Sequence, residues 1–210
     1  MKLKRHILPR IQAVLAVETG PPSTGFSPDT PDATGTELTQ SDLDSLYFKN
    51  NRLYRHNILW INYTTYDVRR AQDVINPKTD RRDVMLLAPD TSVHQYRYAR
   101  VLGIYHVNVI YTGRGMLDYR ARRMEFLYVR WFEPVDALPV EDGWNIRQLD
   151  RLRFPVMDHP DAFGFVNPDH VLRAFHAIPR FLTGPRHPDG KAVSFYARDA
   201  KDWNMYYANR

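Results

Sequence analysis

The stretch Tyr98-Ala99-Arg100-Val101-Leu102-Gly103-Ile104-Tyr105-His106-Val107-Asn108-Val109-Ile110-Tyr111 carries β-branched and aromatic residues at nearly every second position. That is the spacing of a strand with one face against a core. Gly103 sits inside it and marks a bulge or bend. Thr112-Gly113-Arg114-Gly115 then turns the chain, and Met124 to Phe132 returns as a second strand, so the pair reads as a hairpin.

Working outward, Ile58 to Thr64 alternates with bulk on both faces, as in a strand packed on two sides, and Val84 to Leu87 is a short apolar run closed by Pro89 and Asp90. Thr65 to Ile75 fits a helix through Val68, Ala71, Gln72 and Ile75, while its flanks favour extended chain. Asp169 to Ala177, opened by Pro168, has Val171, Leu172 and Phe175 at helical spacing and predicts a helix. The fold class is mainly β, α+β at most: a small bent sheet or barrel with one or two peripheral helices.

Four segments follow from charge and composition. Residues 1–17 predict a helix with Leu3, Leu8, Ile11 and Leu15 on one face, and with Pro9 tolerated only near a first turn. Residues 18–45 hold six acids and no Lys or Arg among Pro, Gly, Thr and Ser, which predicts a disordered linker. Residues 46–185 form the β-rich globular domain, and 186–210 read as a C-terminal tail. From residue 46 onward the chain has 25 Lys+Arg and 18 Asp+Glu, a net of +7 against +5 for the whole, which favours an anionic partner. No apolar run has the ~18 to 20 residues that cross a bilayer as a helix, so no membrane partner is expected. With no cysteine there is neither a disulfide framework nor a thiolate metal site.

Arg97 to Tyr105 followed by Met124 to Phe132, the stretch Leu53 to Arg70 with Gln72-Asp73, and Phe163-Gly164-Phe165-Val166-Asn167-Pro168 together resemble one family. It is the C-terminal region of CACTA-type (En/Spm-like) transposases, in the Plavaka-like branch of basidiomycete fungi, and the likeness spans residues 4–210. A strand ending in Val129-Arg130-Trp131-Phe132 is also loosely similar to bromo-adjacent-homology and other SH3-like barrels. The resemblance implies a non-catalytic accessory region. Its catalytic acids belong upstream, the N-terminal helix is the remnant of a larger domain, and the C-terminus is truncated. DNA or other transposase-derived proteins are the implied partners, and the nucleus is the implied location, with the cytoplasm as the alternative.

The candidate site is an arginine face at the hairpin: Arg114, Arg120, Arg122, Arg123 and Arg130, joined by Arg69 and Arg70, with Arg81 and Arg82 as a similar pair. Arginine offers bidentate contacts to phosphate. The competing reading is a solvated surface paired with Asp118 and Glu125. Trp60, Tyr63, Tyr105, Trp131 and Phe132 are candidates for an aromatic cage around a cation, or simply core. His159, Asp161, His170 and His176 match no metal-ligand spacing and read as turn and capping residues. No catalytic motif, cofactor or small-molecule substrate is indicated. Three readings stand: a DNA- or nucleoprotein-contacting module, a protein-interaction barrel that never touches nucleic acid, and a non-functional transposon remnant.

Overall fold

A computed structural model describes residues 2–19, 39–64, 70–90, 92–113, 118–135 and 149–209. In chain order the elements are helices α1 (Lys2–Thr19) and α2 (Gln40–Asp44), then strands β1 (Leu46–His56), β2 (Leu59–Thr64), β3 (Arg70–Ile75), β4 (Asp83–Leu87), β5 (Tyr96–Tyr111) and β6 (Arg122–Trp131). They continue with β7 (Glu133–Pro134), β8 (Arg151–Arg153), β9 (Phe163–Val166), β10 (Val171–Ala174), β11 (His176–Pro179) and β12 (Tyr206–Asn209). Contacts divide the chain into unit one, Met1–Tyr54 with His106–Glu125, and unit two, Arg55–Tyr105 with Phe126–Arg210.

In unit one, α1 buries Ile7, Leu8, Ile11 and Leu15, one stripe at helical spacing. The helix begins earlier than Pro9 would favour, so the proline lies inside it and costs an intrahelical bond. Complete burial of Ile7, Leu8 and Ile11 on both sides of the proline offsets that cost. Arg10 also donates to the carbonyl of Glu125 at 2.6 Å, tying the helix to the hairpin. Part of the expected linker is ordered: Thr39 and Asp42 cap α2 reciprocally, and Leu43 is buried. Residues 20–38 of that linker lie outside the described residues. β1 pairs with β5, and its Asn50 and Asn51 both take left-handed backbone angles, φ 58° and 51°. Asparagine tolerates that region better than other non-glycine residues.

Unit two is built on antiparallel pairing in the order β10-β4-β5-β6-β9. Its outer strands do not meet, so the sheet is bent rather than closed into a barrel. Ala99, Val101 and Ile104 of β5 all enter one core with Leu127 and Val129 of β6. An alternation that runs 99, 101, 104 has slipped by one residue at Gly103, where a Cβ would sit 2.3 Å from the Tyr105 ring. β2 and β3 form a two-stranded ribbon in register from Leu59↔Ile75 to Thr64↔Arg70. This makes the ambiguous 65–75 segment a strand from Arg70 onward; residues 65–69 lie outside the described ones. The ribbon packs on one side only. Ile61 is buried and Trp60 is 57% exposed, against the expected two-sided packing.

Two expectations fail in the last third of the chain. Instead of a helix over 169–177 there is one 3-10 turn, Pro168–His170, followed by β10 and β11. The physical reason is that Val171 and Phe175 enter different cores, and β10 completes the edge of β4; a helix would put both residues on one face. The expected tail, 186–210, is instead integral. β12 pairs with β11 and β8 in a four-stranded sheet, β11-β12-β8-β7, and Tyr206 and Ala208 are core residues.

Candidate functional site

The hairpin arginines are largely neutralised by nearby carboxylates. Arg120 pairs with Glu18 at 3.0 Å and Asp118 at 2.9 Å, Arg122 bridges the same two acids, and Arg123 pairs with Glu125 at 2.7 Å. Three arginines therefore face three carboxylates, and only Arg120 and Arg123 keep more than half their side-chain surface exposed. A phosphate arriving here competes with carboxylates already in place. Arg69 and Arg114 lie outside the described residues. Arg70 and Arg81 are exposed, and Arg82 is half-buried.

The hydrogen bonds from Arg122, and then those from Arg120, hold the Glu18 carboxyl below its ordinary value of 4.5. A depressed carboxylate stabilises the fold above its unfolded value, and the contribution disappears as pH falls through the folded value. Acidification from pH 5 downward is thus expected to loosen α1 first, read as lost helical circular dichroism. Glu18→Gln should remove that early step; an unchanged acid profile in the variant would disprove the coupling.

Arg130 is corrected outright. Its side chain is 0% exposed, ion-paired through Nη1 to Asp202, and laid 3.9 Å from the Phe154 ring. It cannot reach a phosphate at the surface. Arg100 lies in the same cluster, bidentate to Asp83 at 2.8 and 3.0 Å and bonded to Asp202 at 3.1 Å. Burial acts to lower its pKa, but Asp83, Tyr206 and Asp202 together outweigh burial and raise it. Phe132, Phe154 and Tyr206 surround Arg100 at 4.9 to 5.5 Å. An aromatic cage does exist, and the chain's own arginines occupy it.

Of the five residues expected to form a cage, Phe132 faces Arg100 in this buried cluster, and the other four do not converge. Trp60 is exposed on β2, and Tyr63, three residues on, faces the other way with Arg173 at 3.8 Å over its ring. Trp131 packs on the sheet core with Arg97 at 4.0 Å, on the face of β6 opposite Tyr128. Tyr105 is half-buried and lines a groove away from the other three. Among the described residues no three His, Asp or Glu side chains cluster to hold a metal. His159 Nδ1 accepts the Asp161 backbone N–H at 3.2 Å, a turn contact.

What strand pairing assembles instead is a groove of about 410 Å³ in unit two. Half-buried Tyr105, Tyr128 and Phe163 come from β5, β6 and β9, with Tyr128 stacked on Phe163 at 6.0 Å. Phe195 and Tyr196 stand beside them on the 193–198 loop, 87% and 82% exposed. Arg55 and Arg198 complete the charged lining, and among the described residues no carboxylate contributes. The neighbouring depressions differ in this respect, since Glu133 lines one and Asp158 and Asp199 another. The loop is pinned from beneath: fully buried Asp199 accepts the backbone N–H groups of Val193 and Ser194 at 2.9 and 3.0 Å, and meets His187 at 3.2 Å. Sequence reading overlooked this group except for Tyr105. The one local signal was the adjacent pair Phe195-Tyr196 in a stretch without strand alternation.

Comparison with family models, with curated proteins and with solved structures finds no match for this chain.

Proposed function

We propose that the chain is a non-catalytic accessory module, of CACTA-type transposase descent as its sequence resemblance implies, that contacts nucleic acid in the nucleus. One observation carries this reading: a surface where two arginines and five aromatic rings meet with no carboxylate among the described residues, in a chain of net charge +5. Arginine supplies phosphate contacts and aromatic faces supply stacking, the two contributions that nucleic-acid surfaces combine. Arg120, Arg122 and Arg123 of the hairpin do not offer this combination, because they are paired with Glu18, Asp118 and Glu125.

The test is a fluorescence-anisotropy titration of the full chain against labelled DNA, single- and double-stranded, from low to physiological salt. Binding is expected to weaken linearly on a log–log salt plot, as counterion release requires. Absent or salt-insensitive binding to both would overturn the reading. In that case the alternative, contact with a protein partner or another transposase-derived chain, gains from a separate feature. Phe181 and Leu182 lie 71% and 86% exposed on a 3-10 turn, with Phe181 edge-on to Trp203 at 5.0 Å.

A further inference from the structure

We infer that the groove over β5, β6 and β9 binds unpaired, single-stranded nucleic acid, with bases stacked on its tyrosine and phenylalanine rings and phosphates held by Arg55 and Arg198. This deepens the nucleic-acid reading above and rests on it.

The choice of occupant comes first from charge. Among the described residues the lining holds two guanidinium groups and no acid, so it is complementary to an anion. It comes next from ring geometry. Tyr105 lies stacked on Phe126 at an interplanar angle of 21°, and Tyr128 on Phe163 at 17°. These rings belong to a sheet and are fixed by their strands, which leaves a pre-formed aromatic surface rather than flexible contacts. A base can stack on such a ring only when its own face is free. In a duplex those faces are already covered, and a duplex could use the arginines alone.

The loop beside the sheet is equally pre-set. Arg198 takes a left-handed backbone angle, φ 52°, and one of its guanidinium nitrogens donates to the Pro77 carbonyl at 2.9 Å. With Asp199 anchoring Val193 and Ser194, the exposed rings of Phe195 and Tyr196 sit on an ordered support. With the backbone of this loop already fixed, binding has only the side-chain rotamers of the two rings left to order. Burial raises the Tyr128 hydroxyl pKa, with Tyr105 adding to it, so the phenol remains a donor at neutral pH.

The experiment compares labelled oligothymidylate of about 15 nucleotides, a length that spans one such groove, with a duplex of equal length and with a polyglutamate peptide. The wild-type chain is expected to prefer the single strand, with a log–log salt slope near −1.4 for two neutralised phosphates, about −0.7 each. Phe195→Ala/Tyr196→Ala should weaken it about tenfold or more, since stacking on a ring is a large fraction of single-strand affinity. Arg55→Ala should reduce the slope by about 0.7. Arg120→Ala/Arg123→Ala should leave binding unchanged. All these side chains are substantially exposed, and a thermal melt confirms that each variant is folded. Equal binding of single strand and duplex, indifferent to the ring substitutions, overturns the groove inference and leaves the broader nucleic-acid reading standing. Binding of polyglutamate without either nucleic acid overturns both.

Discussion

Asp202→Asn should destabilise unit two by about 3 to 5 kcal/mol, the usual cost of stranding one member of a buried ion pair. Asp202 is 1% exposed and gives one carboxylate oxygen to Arg100 and the other to Arg130. The two arginines are not equally dependent on it. Arg100 keeps its bidentate contact with Asp83, whereas among the described residues Arg130 has no second carboxylate: its Nε and Nη2 are already buried without an acceptor. Losing the carboxylate therefore leaves a buried guanidinium charge uncompensated, packed on the Phe154 ring. Urea unfolding followed by tryptophan emission measures this cleanly, because Trp60, Trp131 and Trp203 all belong to unit two. Adding Arg130→Met to the variant should recover much of the loss by removing the stranded charge. A single-variant loss below about 1 kcal/mol, within the range of exposed pairs, would show that water reaches the cluster and that the network is not buried in solution.

How much of this was legible in the sequence depends on distance along the chain. The β5–β6 hairpin was readable because period-two alternation is local and one face of each strand enters a core. The pairing of Arg120, Arg122 and Arg123 with Asp118 and Glu125 was also readable as the bland alternative, since those acids lie within four residues. Glu18, about a hundred residues away, was not. Arg130 looked like surface for the same reason: its partner Asp202 is 72 residues downstream, in a segment whose composition read as tail. The failed helix at 169–177 is a different kind of miss. Val171, Leu172 and Phe175 satisfy a helical period, but the edge of β4 needs a partner and the two cores lie apart, so tertiary pairing overrides local spacing. The groove combines three strands and a loop, and no spacing rule reports rings drawn from positions 105, 128, 163 and 195.

The ring beneath that groove joins stability to binding. Phe126 is 2% exposed on β6, on the same strand face as Tyr128, and it touches both Tyr105 and Phe165 at 5.6 Å, stacked on the first and edge-on to the second. Phe126→Ala deletes this ring where its neighbours are held by their strands and cannot close the gap, so a loss of about 3 to 5 kcal/mol is expected. That magnitude alone says only that Phe126 is core. Phe126→Leu is the more informative change, because it keeps most of the apolar volume and should cost on the order of 1.5 kcal/mol. The folded Leu variant no longer gives Tyr105 a ring to stack on, and the tyrosine gains freedom in the groove. If Tyr105 acts as a stacking platform, oligothymidylate affinity should fall in Phe126→Leu at temperatures where the variant is fully folded, while the salt slope, set by Arg55 and Arg198, stays the same. Unchanged affinity together with an unchanged slope would confine Phe126 to packing and remove Tyr105 from the binding surface.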